Sequence, residues 1–347
     1  MRTQHWKILT LTAALVVFAV EPAHTVEVFN MPNGQTSLEL VTVGDAGNAA
    51  DTAAHSGNPA GQGALAYNYS IGKYEVTAAQ YCQFLNAVAK SDPYWLYNSL
   101  MSNRTGIVRN GDVGNYTYTV ASGHENFPVT NATWGSAARF CNWLQNGQPS
   151  SGVEDANTTE NGAYNLNGAT TDAALMAVSR NPGASYWIPT EDEWYKSAYY
   201  KGGSTNAGYW TFPTQSNTLP SNIFSATDTN NANYRLGSLY NPIYTDPTNF
   251  LTAVGAFAAS PGPYGTYDQA GNAWEWNETA VHPTRRGMRG GCYVGDYTFL
   301  NANSRNDDSP TLTGCGFRVA SIPEPASLAM LAGIALTALL YWWRKRA

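Results

Sequence analysis

The chain has 347 residues, a formal net charge of −6 and 13% aromatic residues. An acidic balance with no basic patch argues against a nucleic-acid partner, and the aromatic content argues against disorder. Some 300 residues remain once the two ends are set aside, enough for one large domain.

The N-terminus carries Arg2 and Lys7 and then the apolar run from Ile8 to Val20. That is the charged and apolar order of a secretory signal peptide. We assign residues 1–23 to it, with cleavage after Ala19 or nearer Ala23. Short strands are expected at Leu38–Val43 and over 67–74. A helix is expected from Thr77, where Gln80 three residues later completes a capping box. Its apolar face is Tyr81, Cys82, Leu85, Val88 and Ala89.

A strand is expected over 116–120, then a second helix near Thr133, with Trp134, Ala137, Ala138, Cys141 and Leu144 on one stripe. Residues 146–183 are polar and Gly-rich apart from a short apolar run at 173–178. A third helix starts at Thr190, with Glu193 as its capping partner and Pro189 fixing the entry. Residues 202–250 are rich in Asn, Thr and Pro and read as ordered loop. Two last strands are expected over 288–294 and 316–320.

The chain ends with Pro323, Glu324 and Pro325, an apolar stretch from about Ala326 to Trp343, and Arg344, Lys345 and Arg346. Roughly 18 apolar residues can just cross a bilayer as a helix. The basic residues after them stay on the cytoplasmic side, which leaves the body outside it. The histidines His55, His124 and His282 are scattered, and no pair has the helical spacing of a metal site. There is no nucleophile elbow and no phosphate-binding loop.

The tail over 322–347 resembles the PEP-CTERM sorting signal. That resemblance implies export, processing by an exosortase-type sorting protease near Pro323–Pro325, and anchoring in the inner membrane or display at the cell surface. An ordinary membrane anchor is the plainer alternative.

Between the ends, six segments occur in a telling order: IGKYEVTAAQYCQFLN (Ile71 to Asn86), PVTNATWGSAARFCNWL (Pro128 to Leu144), WIPTEDEWYKSA (Trp187 to Ala198), GTYDQAGNAWEWNET (Gly265 to Thr279), RGGC (Arg289 to Cys292) and GFRVA (Gly316 to Ala320). Together they resemble the formylglycine-generating enzyme, or sulfatase-modifying-factor, family. The resemblance assigns 24–321 to one such domain. It implies an α+β, C-type-lectin-like fold with little regular secondary structure, flanked by the signal peptide and the transmembrane segment.

The family's reaction oxidises a protein cysteine using two cysteines that bind copper(I), a soft ion that wants thiolates. Their positions here hold Gly295 and about Leu300, neither of which can ligate copper, so no catalytic residue is assigned. Cys82 and Cys141 fall on apolar helix faces and read as buried small hydrophobes. Where some relatives have a bridge to the Cys141 position, the partner position is Val319. Cys292 and Cys315 flank the RGG and GFR motifs. A disulfide between them is expected in an oxidising compartment. It would close a loop of about 22 residues and contribute roughly 3 kcal/mol. A free buried pair, or a redox or copper site, are the alternatives.

The resemblance also implies structural calcium, which takes six to eight oxygen ligands. The first ligand set is Asp268 and Glu275 with the carbonyls of Gly271 and Ala273. A fainter second set is Asn233 and Asp246 with the carbonyls of Tyr234 and Thr248. The other role open to Glu275 is a buried ion pair with Arg289 or Arg318. These residues suggest an exported, calcium-stabilised binding or structural module for a glycan, exopolysaccharide or protein ligand. A cysteine oxidase of the family, or another oxidase using a different site, is the alternative.

Overall fold

The computed structural model describes residues 26–29, 38–53 and 60–323. The expected signal peptide lies outside these residues, as does the tail from Glu324 and Pro325 onward; Pro323 is the last residue described. Among the described residues no helix is long and apolar enough to cross a membrane.

Each long helix begins where its capping chemistry places it. In α1 (Ala78–Val88), the Thr77 side chain accepts the Gln80 amide and the Gln80 side chain accepts the Thr77 amide. The same reciprocal pair, Thr190 and Glu193, opens α4 (Glu191–Tyr199). Thr133 alone caps α2 (Trp134–Gln145). Two donors left orphaned at a helix start are thereby satisfied at α1 and α4. The apolar run at 173–178 forms the short α3 (Asp172–Met176), whose Leu175 is buried.

The main sheet is antiparallel, in the order β1 (Val26–Phe29), β2 (Leu38–Val43), β3 (Tyr69–Gly72), β12 (Ala320–Ser321) and β6 (Tyr186–Trp187). Helices α1 and α2 supply an aromatic core: Tyr81 and Phe140 meet Phe317, and Phe84 and Trp143 pack against them, with ring centroids 5.3 to 6.2 Å apart. Several of these pairs are edge-to-face, the favoured aromatic geometry. Two hairpins, β4 (Ile107–Asn110) with β5 (Thr117–Val120) and β7 (Leu236–Ser238) with β8 (Asn241–Ile243), stand apart from this sheet.

A second, three-stranded sheet joins β9 (Glu275–His282), β10 (Arg285–Arg289) and β11 (Asn306–Asp308). The strand expected to reach residue 294 stops at Arg289. Gly290 and Gly291 there take φ of +98° and +78°, which no strand residue adopts. The strand expected over 316–320 shrinks to its last residue and Ser321. Residues 317 and 319 still accept bonds from Val76 and Gly72, but without a continuous ladder.

Candidate functional site

The two sheets meet around Glu275, the first residue of β9. Gly316 bridges to it in parallel, which brings the GFR segment alongside. Arg318 then reaches the carboxylate: Nε donates to Oε2 at 2.5 Å and Nη2 to Oε1 at 2.6 Å. Trp194 Nε1 donates to the same Oε2 at 2.8 Å. Both Glu275 and Arg318 are fully buried. Arg318 also donates to the carbonyls of Gly72 (2.8 Å) and Tyr267 (2.9 Å), tying three segments together. Arg289 is not part of this pair; with Arg305 it holds Glu191.

Two further carboxylates share this neighbourhood. Glu75 is buried and accepts from the Ala273 amide and from Asn272 Nδ2, both at 3.2 Å. Burial, then the charges of Asp268 and Glu275, hold its pKa well above the carboxylate range. Asp268 takes the Gly255 amide at 2.6 Å. Burial raises its pKa to about 6, against the pull of that amide and of Arg318. Composition and motif matching pass over Glu75, although it sits inside the first family motif. Its place between apolar Tyr74 and Val76, three residues beyond β3, is the one sequence signal for it.

This arrangement does not fit calcium at the first ligand set. Oε2 of Glu275 already accepts two donors, and the guanidinium of Arg318 supplies the positive charge there. Of the expected set, Asp268 lies within reach of the Glu275 charge, while Ala273 gives its amide to Glu75 and Gly271 lies against Asn233; Glu275 itself is held as an ion pair. Gly271 is needed for closeness: at φ +87°, an added Cβ would lie 2.0 Å from the Asn233 carbonyl oxygen.

The second set fits better. The Nδ2 of Asn233 donates to the Phe250 carbonyl (2.9 Å) and to Asn272 Oδ1 (3.1 Å). Its Oδ1 is buried with no hydrogen-bond partner. A buried amide oxygen of this kind wants a cation or a water. Asp246 lies on the adjoining loop, where its carboxylate accepts the amides of Thr248 and Asn249 at 2.8 and 2.9 Å. Burial works against ionisation, but those bonds and the Asn249 side chain outweigh it and hold its pKa below the usual carboxylate value. The Tyr234 carbonyl accepts Asn222 Nδ2 at 3.3 Å, a long bond that leaves it available.

Packing surrounds the two positions, Gly295 and about Leu300, that the resemblance assigns to the family thiolates. Leu300 is fully buried, clustered with Phe212, Ala232, Tyr234 and Ala270. A Cβ built on Gly295 would stand 3.1 Å from Cδ2 of Phe299, so a side chain at 295 would require that exposed ring to give way. Phe299 in turn meets Trp274 edge-on at 5.4 Å. Nearby, Phe250 lies between Tyr244 (4.9 Å) and Tyr293 (5.8 Å), with the Arg104 guanidinium over its ring at 3.8 Å. The surface around Gly295 is thus aromatic, with Tyr297 and Phe299 exposed.

All four cysteines are buried and free. The bridge expected between Cys292 and Cys315 is therefore not formed; the Cys315 thiol points at Met288 Sδ, 2.9 Å away. Burial pushes the Cys292 thiol up and the Cys315 thiol well up. Cys82 is raised to about 11 and Cys141 well above its usual value, again by burial. Reactive cysteines have the opposite shift, because the thiolate is the ligand and nucleophile.

The fold and site define a mixed helix-and-sheet domain with little regular structure, built around the WEW strand and the GFR segment. The chain belongs to the family of sulfatase-modifying factor enzyme 1-like domains, whose model matches residues 26–322. Among solved structures it is similar to Treponema denticola variable protein 1, with TM-score 0.54 and 19% identity over 87% of this chain and 100% of that one. It is also similar to the crystal structure of CarF, with TM-score 0.52 and 20% identity over 82% of this chain and 98% of that one. These likenesses show the fold. No curated protein matches the chain.

Proposed function

We propose that this protein is an exported, non-catalytic binding module, displayed at the inner membrane or cell surface by its C-terminal segment. One observation carries the reading. Where the family's copper thiolates belong, Phe299 covers Gly295 and Leu300 is part of the core. The thiols that do exist are buried with raised pKa values, which opposes copper(I) ligation. Support for export comes from the two terminal segments, and an exosortase-type protease acting near Pro323–Pro325 is the partner they imply. Anaerobic titration with copper(I) against a competing chelator tests the reading: no protein-bound copper is expected. Stoichiometric binding lost in Cys292→Ser would favour the oxidase alternative.

Calcium belongs to the same proposal, at the second ligand set. Asn233 Oδ1 and the Asp246 carboxylate would hold it, with the carbonyls of Tyr234 and Thr248. It would pin the 246–252 loop. Extracellular calcium modules bind with Kd of about 10⁻⁴ to 10⁻³ M. At about 10 mM calcium such a site adds about 1.5 to 3 kcal/mol. Thermal melts should therefore rise on adding calcium to EDTA-treated protein, and Asp246→Ala should abolish the rise. A melt indifferent to calcium would remove the ion from the account.

A further inference from the structure

One concave surface is lined by Tyr94, Trp95 and the start of α2. It is a cavity of about 470 Å³ between the 94–98 loop, the start of α2 and α3, and the 311–313 segment. Small-molecule sites commonly span about 300–1,000 Å³, with aromatic walls and a few placed polar groups. We propose that this pocket binds a neutral pyranose unit of a glycan, with Trp95 as its stacking platform. The proposal deepens the binding-module reading by giving that module a ligand class and a site.

Trp95 lines the pocket's outer edge. It is the one exposed tryptophan among the described residues, at 67%. Its φ is +55°, a region that bulky L-residues avoid. Such a conformation persists only where its surroundings over-determine it, and it clusters at ligand sites. Here the surroundings are visible. Asp92 is buried and accepts the Leu96 amide at 2.6 Å, the Tyr97 amide at 3.3 Å and Arg109 Nη1 at 3.2 Å. Arg109 lies over the rings of Tyr97 and Tyr116, at 4.9 and 4.2 Å. The loop is thus built from below, and it presents an indole to solvent.

The rest of the pocket supplies what a sugar ring needs. A pyranose has an apolar C–H face and a rim of hydroxyls. Trp95 and Tyr94 offer flat apolar faces with polar edges for the first. The facing wall carries Asp172, Thr171, Thr311 and Thr313 for the second. Asp172 accepts from Ser309 Oγ and Thr311 Oγ1, each at 2.5 Å. These bonds lower its pKa, so it is a fixed negative acceptor at neutral pH. The cation of the lining, Arg139, is already taken: it is paired at 2.6 and 2.9 Å with Glu160 and lies 4.4 Å from the Tyr94 ring centre. A uronate would meet a carboxylate with no free cation, so the pocket selects neutral sugars.

The test is calorimetric titration of the full domain with cellohexaose, laminarihexaose, chitohexaose, mannohexaose and an oligoguluronate. At least one neutral hexamer should bind, and the oligoguluronate should not. Trp95→Ala should weaken that binding about tenfold or more. Trp95→Gly should weaken it equally while melting no lower than the parent, because glycine adopts this φ without strain. A merely structural tryptophan would show the reverse, lost stability with unchanged binding. Three results would overturn the proposal: no neutral hexamer bound up to about 5 mM, binding untouched by Trp95→Ala, or an oligoguluronate bound as tightly. Any of them removes the sugar site alone; the non-catalytic reading stands or falls separately on the copper titration.

Discussion

Arg318→Ala should destabilise the domain by about 3–5 kcal/mol, the range found when one partner of a buried ion pair is removed. The loss leaves Glu275 fully buried with the Trp194 indole as its donor, and the carbonyls of Gly72 and Tyr267 lose the guanidinium. Glu75 and Asp268, already raised in pKa, lose the nearby positive charge as well. Arg318→Lys should recover little, since an ammonium cannot make the two parallel bonds to Glu275. Urea denaturation measures the effect. Calcium should raise the alanine variant no more than it raises the parent. A cost under about 1 kcal/mol, or a gain from calcium larger than the parent's, would mean that Glu275 does not depend on Arg318 for its counter-charge.

Stability should fall as pH rises from about 5 to 8. Glu154 is buried, and neither carboxyl oxygen has a hydrogen bond of ordinary geometry although the Tyr94 amide is near. Burial and the charge of Asp92 raise its pKa to about 8. Burial also raises Asp92 to about 6, against its amide bonds and Arg109. Asp268 is likewise raised to about 6, and Glu75 lies well above its usual value.

The sign follows from proton counts. Above the unfolded pKa these groups keep protons in the folded state that the unfolded chain has lost. Each contributes a loss of up to about 1.4 kcal/mol per pH unit until its folded pKa is reached. Asp172 and Asp246 have lowered pKa values and act oppositely, so their stabilisation is lost only as pH falls below the usual carboxylate range. Lys196, lowered to about 8, matters above this window. Denaturant midpoints across pH 4–9 check the profile. Glu154→Gln should flatten its upper half and raise stability at pH 8; a profile that climbs from pH 5 to 8 would contradict the assignment.

The parts legible in the sequence were those with local causes. Thr77 with Gln80 and Thr190 with Glu193 announce their helices because a capping box involves only four consecutive residues. Leu38–Val43 reads as a strand and is one. The strand that ends at Arg289 was over-extended because Gly290 and Gly291 were read as part of a motif and not as two left-handed residues. Hairpin β4–β5 was half seen, since Ile107–Asn110 is short and has exposed positions. The choice of Arg318 over Arg289 for Glu275 depends on a parallel bridge between Gly316 and Glu275, 41 residues apart in the chain by their numbering. No local pattern encodes that. The thiol pair is close enough for Cys292 to act on the Cys315 charge, yet both sulfurs are free, and that of Cys315 faces Met288 Sδ. Trp95 carried no signal at all, because neither its exposure nor its left-handed backbone is written in its neighbours.

We propose that this sulfatase-modifying factor enzyme 1-like domain holds no copper-thiolate centre. The most direct measurement is mass spectrometry of a cysteine-containing sulfatase peptide incubated with the protein, copper(I) and oxygen. The account predicts unmodified cysteine and no oxygen uptake above a copper-only control. Conversion to formylglycine that depends on the protein, and that disappears in Cys292→Ser or Cys315→Ser, would contradict it.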